Sequence, residues 1–202
     1  MKMNTHTVIL FAIILFPLQL SGQIVIKENF EGSTKLDWEE HSEKKNSALV
    51  QNGYLELKTD NALFPCTTRT YLPIDPDEDF NIKCELFIPH FGNGLYGIMF
   101  DMDEDFNKNL VLFNKSTVYC FLYNNGKILE KGDRALIKLP SKEKDCTINL
   151  EFIRKGSKCI ININNMKAVE IPKKHMSSSL FGFYSSSTLL INSFEVYQED
   201  GQ

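Results

Sequence analysis

Five oxygen-bearing side chains recur at every second position in one short stretch: Asp101, Asp103, Asp105, Asn107 and Asn109. Oxygen ligands at alternate positions are how a loop presents carboxylates and amides to a hard cation such as calcium. The helix–loop–helix calcium motif is excluded, because Phe106 stands where it needs glycine and Leu112 where it needs a bidentate glutamate. Two readings remain: a looser calcium site on Asp101, Asp103, Asp105 and Asn107, or a solvated acidic turn with no cofactor. A second group is aromatic. Tyr119, Phe121 and Tyr123 share one face of a strand while Val118, Cys120 and Leu122 share the other, so the segment is apolar on both sides. One side belongs to the core. The other could present rings for stacking and hydroxyls for hydrogen bonding, with Tyr96 and Phe100 extending the surface. Outside these groups little chemistry is available. His41, His90 and His175 stand alone without zinc spacing, and there is no nucleophile elbow, phosphate loop or dinucleotide fingerprint.

Strands must position these side chains. Phe80–Pro89 (FNIKCELFIP), Leu95–Phe100 (LYGIMF), Ser116–Tyr123 (STVYCFLY), Cys146–Arg154 (CTINLEFIR) and Lys158–Asn164 (KCIININ) are aliphatic, β-branched and aromatic runs bounded by Gly, Pro, Asn and Asp. Asn52-Gly53, Asn124 to Lys127, Lys155-Gly156-Ser157 and Asn164-Asn165 each predict a tight hairpin, because asparagine and glycine tolerate positive φ. Gln23–Phe30 reads as a first strand, and Trp38 in the following loop as a core anchor. Pro65, Pro73 and Pro76 limit their stretch to loop plus an edge strand around Arg69–Leu72. No 3.6-residue period competes with these signals. Roughly a dozen short strands at regular spacing predict an all-β sandwich or barrel.

The chain has 202 residues and a formal net charge of -4. Lys2, the apolar run Val8–Phe16, Pro17 and the small residues Ser21 and Gly22 predict a signal peptide over residues 1–22. That run is too short to span a bilayer. Removing residues 1–22, which hold one lysine and no acid, leaves a 180-residue domain, 23–202, with a charge of -5. A mildly acidic chain without clustered lysine and arginine is a poor partner for nucleic acid. Export permits disulfides, yet Cys66, Cys84, Cys120, Cys146 and Cys159 are odd in number. All but Cys66 share parity with apolar strand neighbours, which favours buried thiols over a single disulfide.

The order ENF…LDW, NGYLEL, DFNIKCELFIP, LYGIMF with its acidic loop, INLEFIRKGSKCIININNMKAVEI and LFGFY…LLINSFEV resembles the concanavalin A-like lectin/glucanase superfamily. Within it, the chain looks like the laminin-G-like and 3-keto-disaccharide-hydrolase-like branch of secreted Bacteroidetes proteins. The resemblance implies a two-sheet antiparallel jelly-roll sandwich whose concave sheet and rim loops often bind carbohydrate. Laminarinase-type members of that fold carry E-x-D-x-E on a strand; here Asp101, Asp103 and Asp105 take the alternate positions, one methylene shorter wherever the motif has glutamate. Retaining glycoside hydrolysis needs two carboxyl groups about 5 Å apart across the scissile bond. The expectation is an exported, non-catalytic binding module directed at carbohydrate, in the periplasm, at the cell surface or in the medium. A glycoside hydrolase using Asp101, Asp103 or Asp105, and a domain that binds a protein of the cell envelope, are the alternatives.

Overall fold

The computed structural model describes residues 23–60, 63–92, 94–103, 107–124, 127–131, 135–136, 145–173 and 175–198, with side chains between 123 and 136 excepted. The expected signal peptide and Asp105 lie outside the described residues, as does the side chain of Tyr123. The strands in chain order are β1 Gln23–Glu28, β2 His41–Glu43, β3 Asn46–Gln51, β4 Tyr54–Thr59, β5 Cys66–Tyr71, β6 Phe80–Ile88, β7 Tyr96–Phe100 and β8 Lys108–Phe113. There follow β9 Thr117–Asn124, β10 Lys127–Lys131, β11 Ala135–Leu136, β12 Cys146–Lys155, β13 Lys158–Ile163, β14 Met166–Pro172, β15 Leu180–Ser185 and β16 Leu189–Gln198. They form two antiparallel sheets. One has nine strands in the order β14-β13-β12-β6-β16-β4-β3-β2 with β1 on β16, and the other seven in the order β10-β9-β8-β7-β15-β5 with β11 on β9. Among the described residues no helix is long and apolar enough to cross a membrane.

The hairpins close where asparagine and glycine stand. Asn52 and Gly53 have φ of 53° and 77° between β3 and β4, and Asn164 and Asn165 have 50° and 63° between β13 and β14. Positive φ at both central residues gives the turn twist that matches paired strands. Strand alternation then decides what is buried. On β6, Phe80, Ile82, Cys84, Leu86 and Ile88 point inward and are buried, while Asn81, Lys83 and Glu85 point outward. β12 repeats the pattern through Cys146, Ile148, Leu150 and Phe152. Aromatic rings fill the space between the sheets: Phe152 lies 4.6 Å from Phe100, and Trp38 lies 5.6 Å from Phe183 and 5.3 Å from Phe194. Each fully buried ring contributes about 1.5–3 kcal/mol of transfer free energy. Trp38 reaches this layer because the loop before it is tied down. The buried Glu28 carboxylate accepts a hydrogen bond from the Leu36 N–H at 2.7 Å. All five cysteines are free and buried.

β5, the expected edge strand, starts three residues earlier than Arg69 and ends the seven-stranded sheet. Its outer backbone is partly covered, since the Glu39 N–H donates to the Arg69 carbonyl at 2.9 Å and the Thr68 hydroxyl donates to the Glu39 carbonyl at 2.9 Å.

Candidate functional site

Two rows of side chains cross the outer face of the seven-stranded sheet, the face turned away from the core. The first row is Arg69 on β5, Gly182 on β15, Met99 on β7, Leu110 on β8 and Phe121 on β9. The second is Thr67, Tyr184, Gly97, Leu112 and Tyr119 on the same strands. The outer face of an antiparallel sheet is ordinarily polar. Here Met99, Leu110 and Leu112, with Met102 and Leu180, form an apolar cluster separate from the core, and Leu95, Phe121 and Tyr184 pack against it. Tyr119 and Phe121 lie half-buried at the β9 side, their rings 6.1 Å apart and within 12° of parallel. The two glycines interrupt the rows because neighbouring backbone occupies their side-chain space. A Cβ on Gly97 would sit 2.0 Å from the Val111 carbonyl oxygen, and one on Gly182 would sit 2.2 Å from that of Thr68.

Polar groups gather at the opposite side of this face. A pocket of about 200 Å³ opens among Thr67, Arg69, Met99, Met102, Asp103 and Lys108, with Glu39 at its edge. The Arg69 guanidinium meets the Glu39 carboxylate as a fork, at 2.6 Å from Nε and 3.4 Å from Nη2. Burial, and then the Arg69 charge, hold the Lys108 ammonium below the usual lysine range. Tyr71 stands on the same face at the sheet edge and is 68% exposed. Five strands at about 4.8 Å spacing place the β9 rings and the β5 polar groups roughly 19 Å apart. Rings, an apolar floor and a few donors and acceptors form a surface for a ligand that is apolar on its faces and hydroxylated at its rim.

The sequence candidates divide on this geometry. Tyr119 and Phe121 are on the outer face. The Tyr123 backbone pairs with Lys108 on β8, its side chain lying outside the described residues. Tyr96 and Phe100 require correction as ligand-face residues. Each is 1% exposed and faces the opposite sheet, where Phe100 packs on Phe152 and Tyr96 lies 6.2 Å from Phe113. β7 is buried on both faces, so its apolar pattern carried no sign of which parity was inward. Tyr71, Arg69, Tyr184 and Met99 take the places that the sequence reading missed. Their signal was available in the parity of β5 and β15, once the faces were known.

Asp101 and Asp103 lie between β7 and β8, outside either strand, whereas Asn109 is part of β8. Asp101 has a φ of 52° and is buried. Its Oδ1 accepts from the Ser177 N–H at 2.6 Å and the Ser177 hydroxyl at 2.9 Å, while Oδ2 pairs with the Lys173 ammonium and accepts from Asn109 Nδ2 at 3.3 Å. Asp103 turns toward the pocket and is held by Asn107, whose N–H and Nδ2 donate at 2.9 Å and 2.6 Å. Asp101 and Asp103 thus serve different partners. Lys173 already supplies the positive charge beside Asp101 that calcium would bring, and Asn107 turns its amide N–H, the end that cannot ligate a cation, toward Asp103. Among the described residues no three His, Cys, Asp or Glu side chains come together to hold a metal.

The outer face of the nine-stranded sheet is the polar counterpart. One row across it runs Lys27, Glu195, Lys83, Glu151, Asn162 and Lys167. Glu151 accepts from Asn81 at 2.8 Å and Asn162 at 2.7 Å, and Lys27 pairs with Glu195 at 2.5 Å. Hydrogen bonds from Lys27 and Tyr197 hold the Glu195 carboxyl below the usual range, and Glu195 in turn pushes the Tyr197 hydroxyl up to about 12. An open depression of about 310 Å³ lies among Lys83, Glu85, Asn149, Glu151 and Ser193, without an aromatic lining.

No protein-family model matches the chain, and no curated protein matches it. Solved structures do match. The exoplasmic/lumenal domain of VIP36 in its Ca²⁺/Man-bound form aligns with a TM-score of 0.63 at 8% identity, covering 89% of this chain and 93% of that one. A Bacillus subtilis protein of unknown function with a galectin-like fold aligns at 0.61 and 12% identity, covering 88% and 96%. A structure from work on endo-acting O-glycanases, expressed by prominent members of the human gut microbiota to initiate mucin breakdown, aligns at 0.61 and 10% identity, covering 88% and 100%. At such identities the shared property is the fold: a lectin-like, two-sheet β-sandwich of concanavalin A-like architecture.

Proposed function

We propose that this chain is an exported, non-catalytic binding module that takes carbohydrate on the outer face of its seven-stranded sheet. One observation carries the reading. Where a solvated sheet face would be polar, this one holds the stacked Tyr119 and Phe121 rings, an apolar floor and a polar end at Arg69, Thr67 and Glu39. Sugar rings have apolar faces and hydroxylated edges, which suits stacking on aromatics combined with charge-assisted hydrogen bonds. The VIP36 domain that shares the fold is in a mannose-bound form, which favours the same ligand class. A span of roughly 19 Å favours a chain of sugars over a single one. The leader-like residues 1–22 support export. The hairpin at Asn164-Asn165 and the closing strand INSFEV favour the laminin-G-like, 3-keto-disaccharide-hydrolase-like branch of secreted Bacteroidetes proteins. Hydrolysis through Asp101 and Asp103 is disfavoured, because Asp101 is buried against Lys173 and Ser177.

The test is calorimetry of the purified protein with neutral oligosaccharides of increasing length, chosen from a glycan array. Binding that strengthens with length and weakens at least tenfold in Tyr119→Ala and Phe121→Ala is expected, since truncating a central aromatic commonly costs about 2 kcal/mol. An array with no hit, or affinity indifferent to both substitutions, overturns it. In that event capture of an envelope protein becomes the experiment to run.

A further inference from the structure

Asp101 was a candidate for metal binding or catalysis, and its surroundings give it another role. One carboxylate collects groups from four parts of the chain. Asp101 itself leaves β7, Asn109 belongs to β8, Ser177 leads into β15, and Lys173 follows β14 at the edge of the other sheet. The first three serve the ligand-face sheet and the fourth the polar sheet, so the carboxylate joins the two layers at one end of the sandwich. Lys173 is itself anchored, its N–H donating to the Ser157 carbonyl at 2.8 Å.

The two residues after Asp101 belong to the ligand face. Met102 is buried in the outer apolar cluster and lines the pocket beside Asp103. The Asp103 N–H donates to the Asn107 carbonyl at 3.1 Å. The positive φ of Asp101 turns the chain between the core residue Phe100 and these pocket residues. A non-glycine residue in that region is held there by its surroundings, here by four donors on a single carboxylate.

We propose that Asp101, through its ion pair with Lys173, is a positioning residue for the pocket: it fixes the turn that sets Met102 and Asp103 at the polar end of the ligand face. The affinity part of this inference rests on the carbohydrate reading; the positional part does not. Charge is the active element, because an amide in place of the carboxylate could still accept from Ser177 but could not pair with an ammonium.

The experiment compares wild type, Asp101→Asn, Lys173→Met and Lys173→Arg by amide-resolved hydrogen exchange and by calorimetry with the best oligosaccharide. The Asp103 and Ser177 amides are expected to exchange at least tenfold faster in Asp101→Asn and Lys173→Met, while amides in β6 and β12 keep their wild-type rates. Lys173→Arg restores the slow exchange. Oligosaccharide affinity falls at least threefold in the first two variants and returns in the third. Unchanged exchange at Asp103 and Ser177, or acceleration spread equally over β6 and β12, overturns the proposal; so does an arginine that fails to rescue. Wild type that binds no oligosaccharide sinks the carbohydrate reading alone, and the exchange rates still decide the positional claim.

Discussion

Replacing Gly182 with alanine separates two expectations of opposite sign. Backbone propensity favours the substitution, since glycine inside a strand costs about 0.5–1 kcal/mol relative to alanine. The local geometry opposes it. The new Cβ would lie 3.0 Å from Met99 Cε, 3.1 Å from Arg69 Cβ and 2.2 Å from the Thr68 carbonyl oxygen. The methionine methyl is the end of a flexible chain and swings away. The carbonyl is backbone of β5, and 2.2 Å falls about 1 Å inside an ordinary carbon–oxygen contact of ~3.3 Å. β5 must therefore move. Overpacking of this kind costs about 1–3 kcal/mol, and each β5–β15 hydrogen bond lost adds about 1 kcal/mol. After the propensity gain, the net loss is about 2 kcal/mol, or a fall of about 4–8 °C in Tm for a domain of this size. Thermal and urea unfolding followed by Trp38 fluorescence measures it, since that indole stacks on Phe183, the next residue along β15. Ligand affinity falls as well, because Thr67 and Arg69 ride on β5. A midpoint unchanged or raised would refute the claim that the Thr68 carbonyl fills the side-chain space.

Two further outcomes are expected. The thiols of the native protein resist an aromatic disulfide reagent at pH 8 and all five react once urea unfolds the chain, because all are buried and burial pushes the Cys66 and Cys159 thiols up to about 11; rapid labelling of any one in the folded state contradicts this. Glu195→Gln lowers stability by up to about 1 kcal/mol at neutral pH, and the difference shrinks as pH falls. A carboxyl whose folded-state pKa is depressed by Lys27 and Tyr197 stabilises above the unfolded value of about 4.3 and loses that contribution as pH drops through the folded value. Urea titrations at neutral and acid pH check it, and a gap that widens in acid reverses the sign and defeats the reasoning.

Much of the fold was legible because local chemistry and long-range pairing agreed. Asn52-Gly53 and Asn164-Asn165 dictated turns, and the alternation of β6 and β12 identified the core face directly. Legibility ended where a strand is apolar on both sides. Tyr96 and Phe100 looked as eligible for the outer face as Met99 does, and only the packing of Phe100 on Phe152 assigns the parity. On β9, too, both parities are apolar, and only the burial of Val118 and Cys120 puts Tyr119 and Phe121 on the outer face. Arg69 and Tyr71 were legible only as part of an edge strand among prolines, and their place on the outer face follows from the register of β5 with β15. The role of Asp101 depends on Lys173 and Ser177, more than seventy positions away, and no local pattern announces such a partnership.

The hydrogen bond from Glu39 to the Arg69 carbonyl bears on how copies of this protein meet in a crowded solution. A bare terminal strand offers its carbonyls and amides to any extended chain that drifts past, and stacking of identical molecules can start there. Glu39 fills part of that row from within the same molecule and fixes Arg69 by its side chain as well as its backbone. The clasp that holds Arg69 thereby leaves fewer bare backbone groups on β5 for a second chain to pair with.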